Sequence, residues 1–92
     1  MPAADTSRFE EKVSQQGYSI FQRVLAPLEG LGDHEHDFDV WGLVTKGEFH
    51  ITCEGATKIY REGEEFKLKA GEAHSEAAGP QGVTFVVGRR QR

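Results

Sequence analysis

Four side chains able to bind a metal ion fall in two short stretches of this sequence. "DHEHD" carries His34 and His36, and "AHSEA" carries His74 and Glu76. An imidazole nitrogen binds a divalent ion at about 2.0–2.1 Å. On an extended strand, residues two apart face the same way with Cα atoms roughly 6.6 Å apart, so each pair can aim at a common point. Taken singly, each pair also has a plain reading: His-x-His as a solvated loop, His74 as a polar rim residue. Together they offer three imidazoles and one carboxylate, a donor set that iron, manganese, nickel, zinc or copper accepts.

Such pairs need strands to hold them, and the chain supplies strand grammar after one short helix. Ser7 with Glu10 has the spacing of a capping box. Phe9 and Val13 share a helical face, and Gly17 supplies the stop, which predicts a helix over about 7–16. "YSIFQRVLAP" is rich in aromatic and branched residues and ends at Pro27, as an edge strand does. Glycines then punctuate the runs "FDVWGLV", "EFHITC", "TKIYR", "EFKLK" and "VTFVV". Short strands at regular spacing predict an all-β sandwich or barrel over about 18–89, with one N-terminal helix.

Strand parity sorts these residues further. Phe49, Ile51 and Cys53 face inward, and His50 faces out. Phe38, Val40 and Val44 lie on one face of their run, with Trp41 and Leu43 on the other. A strand apolar on both sides is covered on both sides, and a partner subunit is one such cover. The same alternation turns Asp37 and Asp39 away from the side used by His34 and His36, unless a β-bulge intervenes.

Composition narrows the function. Ninety-two residues make one domain with a thin core, for which oligomerisation is a common remedy. The net charge of −4, with both signs interspersed, argues against a nucleic-acid partner. "GRRQR" is the only basic cluster and reads as a solvated tail. No apolar run reaches the roughly 20 residues of a membrane span, and "MPAADTSRFEEK" lacks the pattern of a signal peptide. The single cysteine, Cys53, allows no intrachain disulfide, which suits a reducing cytoplasm.

The two histidine-bearing stretches resemble the two motifs of the cupin superfamily of small β-barrels. "HEHDFDVWGLVTKG" matches the first in His34, His36 and Gly47, and "GEEFKLKAGEAH" matches the second in Gly63, Gly71 and His74. The resemblance spans roughly residues 28–88 and implies a double-stranded β-helix, or jelly-roll, barrel with a divalent metal in its mouth. Three positions depart from the family pattern. Val40 stands where the family has a glutamate ligand, Lys69 where it has proline, and Ala78 where it has asparagine. Glu76, facing the same way as His74, is the expected replacement for the missing fourth ligand, and Asp39 is the alternative.

Resemblance to cupins implies small-molecule chemistry of dioxygenase, isomerase or lyase type, with Glu76 as general base if it is not a ligand. Non-catalytic binding of a small molecule or metal is the second reading, and a structural barrel that has lost its metal is the third. The thin core and the two-sided apolar strand at Trp41 predict a two-fold homodimer. Gly42 either opens space near the site or eases packing, and Trp41 and Tyr60 are expected to pack rather than line a pocket.

Overall fold

A computed structural model describes residues 6–91; residues 1–5, where the chain was read as carrying no leader, and Arg92 lie outside the described residues. Helix α1 spans Ser7–Gln15 and is followed by strands β1 (Ser19–Leu25), β2 (Gly30–His34), β3 (Phe38–Cys53), β4 (Ala56–Arg61), β5 (Glu65–Leu68) and β6 (His74–Gln91). The N-cap of α1 is Thr6, one residue before the expected Ser7, and the Thr6 hydroxyl hydrogen-bonds to the Glu10 carboxylate. The helix ends as expected before Gly17, whose φ of +88° suits a residue without Cβ.

Every strand pairing is antiparallel. The long strands β3 and β6 pair along most of their length, Phe38 with Gln91 at one end and Thr52 with Ser75 at the other. β1 and β2 flank β6 in succession, and β5 and β4 flank β3 in succession. The sequence pattern had suggested separate strands for "FDVWGLV" and "EFHITC"; they are one bent strand. Both motif ends of the chain are thereby tied to the same ladder.

The bend has a steric basis. Gly47, at φ +81°, lies against Gly82, and a Cβ on Gly47 would sit 2.1 Å from the Gly82 carbonyl oxygen. No side chain fits there, so the sheet can fold over itself at that point. The two halves then close on one apolar cluster that includes Val44, Phe49, Ile51, Phe66, Phe85 and Val87. Phe49 stacks on Phe85 with centroids 4.5 Å apart. The Phe66 ring fills the space above Gly42, where a Cβ would meet it at 2.1 Å, so the glycine serves packing.

The opposite face of β3 has its own cover. Phe9 and Val13 of α1 bury themselves against Leu43 and Val86, with Tyr18, Ile20 and Trp41 packed around them. Trp41 meets Phe9 and Tyr18 edge to face, and its indole N–H donates to Glu65 at 2.8 Å. The apolar back of β3 is therefore covered by the chain's own helix, and the reason it gave for a partner subunit falls away. Tyr60 packs against the barrel cluster, as expected of a structural aromatic.

Candidate metal centre

β2 and β6 bring the two histidine stretches together directly: His34 pairs with His74 across the ladder. Leu31 pairs with Glu76, so three steps along β2 match two along β6, and the strand bulges at Gly32 and Asp33. A bulge therefore exists, but upstream of His34 rather than between His36 and Val40. His36 lies beyond the end of β2, in the connection to β3. It is placed by two contacts: its ring stacks on Phe38 at 4.6 Å, and its carbonyl oxygen accepts from the Gly71 N–H at 2.7 Å. That second bond clamps the loop bearing His36 to the turn before His74.

The three imidazoles form a compact group, with centroids 4.3 Å apart for His34 and His74, 4.8 Å for His34 and His36, and 5.2 Å for His36 and His74. One donor atom from each of His34, His36, His74 and Glu76 lies within 4.8 Å of all the others. Donors around an ion at roughly 2.1 Å span at most about 4.2 Å, so small side-chain rotations close the set.

Hydrogen bonding orients the rings. The Nδ1 atoms of His34 and His74 lie 2.7 Å from the Gly32 carbonyl oxygen and 3.0 Å from the Glu72 carbonyl oxygen. A carbonyl oxygen can only accept, so each Nδ1 carries the proton and donates it. In the neutral ring this leaves a bare lone pair on Nε2. Both Nε2 atoms face one oxygen, Glu76 Oε1, at 3.4 Å from His34 and 3.0 Å from His74. A carboxylate oxygen is also an acceptor, so with both rings neutral three acceptors face one another there. The buried His34 Nε2 has no hydrogen-bond partner among the described residues. One divalent ion would answer all three lone pairs at once. Burial, followed by the neighbouring His34 and His74, pushes the pKa of His36 below its ordinary 6.5, with Arg89 adding to the shift and Glu76 opposing it. The form that can ligate is thus favoured. The residues present fit a divalent metal.

Asp39, the alternative fourth ligand, lies on the other face of β3. Its Oδ1 accepts from the Ala70 N–H at 2.9 Å, and its Oδ2 faces Arg90 at 3.3 Å. Val40, in the family's glutamate position, is barrel core, as is Ala78. Lys69, in the family's proline position, uses the N–H that proline lacks, donating it to Glu72 at 3.0 Å. The turn before His74 is thus pinned by a hydrogen bond instead of a ring. Cys53 is half-buried beside the core, and burial raises its thiol pKa.

The cluster opens on a cavity of about 60 Å³ inside the barrel, with walls that include Leu25, Val40, Phe49, Phe66 and Phe85. Two residues at this cavity escaped the sequence reading, Arg23 and Arg89. "GRRQR" is no free tail: Arg89 and Arg90 belong to β6. Parity could have found both arginines, since Arg23 is two residues from Leu25 and Arg89 two from Val87, each of which lies in the core.

No family model and no curated protein matches this sequence. Solved structures do. A cupin superfamily protein from Desulfitobacterium hafniense superposes with a TM-score of 0.72 at 19% identity, covering 82% of this chain and 68% of that one. KdgF from a Halomonas species gives 0.67 at 19% identity, covering 82% and 71%. The Cupin_2 domain of an XRE family transcriptional regulator from Enterobacter cloacae gives 0.69 at 16% identity, covering 86% of both chains. With β3 and β6 folded over one apolar cluster and the histidine group at its mouth, the chain has the cupin fold.

Proposed function

We propose that this protein is a metal-dependent cupin, holding one divalent ion at His34, His36, His74 and Glu76 and using it to bind and activate a small molecule in the barrel. The observation that carries this reading is the convergence of two Nε2 lone pairs on one carboxylate oxygen, with both Nδ1 protons committed to backbone carbonyls. An ion held there supplies Lewis acidity, or a site for activating oxygen. The protein's own contribution is to fix the ligand tautomers, through Gly32 and Glu72, and to surround the open side with apolar walls that exclude bulk water. Donor type leaves iron, manganese, nickel, zinc and copper all acceptable.

A second reading, a non-catalytic binding module, is favoured by the poverty of the cavity in acid–base groups. Beyond His34, His36 and Glu76, only Arg23 and Arg89 among the described residues bring polar side chains to it. If Glu76 is a ligand, no free general base remains, and the bound molecule must carry its own reacting proton. A homodimer also remains part of the proposal, resting now on the thin core and on Phe21, Val24, Leu28 and Leu31, which are exposed.

Elemental analysis of untagged protein, purified without immobilised nickel and then offered each of these ions in turn, tests the central reading. About one tightly held ion per chain is expected. Negligible metal with every ion would overturn it in favour of a structural barrel.

A further inference from the structure

The cavity that meets the histidine group is not electrically neutral at its mouth. Arg23 reaches it from β1 and Arg89 from β6, on the two strands that pair along Ser19–Leu25. Both belong to the inward-facing parity of their strands, with Leu25 and Val87 as the buried neighbours two residues away. Arg89 is held between aromatic rings, its guanidinium carbon 5.1 Å from the centroids of Phe21 and of Phe38. Rings on two sides hold the guanidinium in place without using its N–H donors.

Neither arginine forms an ion pair with a carboxylate among the described residues. The contrast with their neighbours is sharp: Arg61 pairs with Glu48, and Arg90 with Asp39. Acidic side chains are plentiful, 15 against 11 lysines and arginines, yet none of them serves these two. Asp33, Glu35 and Asp37 near the site are exposed and do not line this cavity. Arg23, which is exposed, and Arg89, which is half-buried, both line an apolar cavity whose one carboxylate, Glu76, is engaged with histidines. Such a mouth is complementary to an anion, and a pair of forks matches a planar carboxylate best.

Size sets the other limit. One water needs about 10–15 Å³ of such space, so about 60 Å³ admits four to six heavy atoms, with a few more in the mouth. Pockets for drug-sized ligands measure roughly 300 Å³ and upward, so this interior favours a much smaller molecule.

We propose that the molecule taken by this cavity is a small carboxylate of two to four carbons carrying a second oxygen, its carboxylate held by Arg23 and Arg89 and its other oxygen directed at the histidine group. The orientation of that second oxygen rests on the metal reading above; the carboxylate clasp does not. A two-point grip of this kind selects short oxo- or hydroxy-acids over their neutral analogues.

Calorimetric titration of the zinc-loaded protein with pyruvate, and separately with its uncharged analogue pyruvamide, tests this. Zinc stoichiometry is measured on the same samples. Pyruvate is expected to bind at least about tenfold more tightly than pyruvamide. The R23Q/R89Q double variant should lose that preference while still holding one zinc per chain. Equal binding of the two probes, or a preference that survives in the double variant, overturns the proposal. Should wild-type protein hold no zinc, the same pair of titrations on metal-free protein decides the clasp, and the metal reading is decided separately by the other ions. R23K/R89K, which keeps both charges but not the planar forks, serves if the glutamine variant misfolds; it should lose most of the preference.

Discussion

Asp39 is buried and Glu76 half-buried, and the surroundings of these two carboxylates differ in kind. Asp39 is fully answered: a backbone N–H meets one oxygen and the Arg90 guanidinium faces the other. Glu76 faces two ring nitrogens whose neutral form offers it only lone pairs. A polar cluster with its donors and acceptors matched is structure, since nothing further can be gained there. The Glu76 cluster, its two rings oriented by backbone carbonyls, could instead be completed by a metal ion. The same carboxylate group thus has a different part to play depending on whether its partners were supplied by the chain.

The strongest way to break the comparison is to remove the rings. H34A/H36A should cut metal affinity by more than about a hundredfold, read by competition with a chromophoric chelator, and leave far-ultraviolet circular dichroism unchanged. Both rings lie at the mouth, outside the apolar cluster.

The two carboxylates can be set against each other directly. E76Q is expected to weaken metal binding by at least about tenfold, and D39N to leave it nearly unchanged. The reverse ranking would mean that Asp39 enters the site. Stability should move the other way: D39A strands the Ala70 N–H and Arg90 and should cost about 1–3 kcal/mol in chemical denaturation of metal-free protein. E76A, measured in the same metal-free state, should cost less, or stabilise, because it removes one of three facing acceptors.

The smallest effect belongs to the helix-covered face. Burial pushes the Glu65 pKa up, but hydrogen bonds from Trp41 and Lys12 and the charges of Lys12 and Lys67 more than offset it and hold it below 4.5. A carboxylate depressed on folding contributes stability that is present above its unfolded value and lost as pH falls through its folded one. Trp41 fluorescence should therefore change on acidification below about 4.5, and E65Q should remove that transition. Glu65 is well exposed, so the change is local and small.

Much of this arrangement was legible in the sequence, for reasons the residues explain. His34, His36, His74 and Glu76 stood out because two such pairs occur together at the spacing of the cupin motifs; either pair alone has a plain reading. Asp39 was turned away by parity, and the observed bulge lies too early to reverse it. The helix face at Phe9 and Val13 was clear, but not its destination. A helical stripe says that something is buried, not what it covers, so the back of Trp41 was assigned to a partner subunit instead. Arg23 and Arg89 were missed because a charged residue at an inward position looks like a solvated one until the opposing strands are in register. The continuity of β3 and β6 was hidden by Gly47 and Gly82, which in one dimension look like turns.

That continuity governs how the molecule is made. β3 and β6 pair residues more than fifty positions apart at their outer end, so most of the ladder forms only after long loops have closed. Chains dominated by such pairings fold slowly, on millisecond-to-second scales. His34 and His74 become neighbours only when β2 has docked on β6, which itself needs the β3 ladder. An ion bound by residues that meet only in the docked strands would favour the folded chain over the unfolded one by mass action.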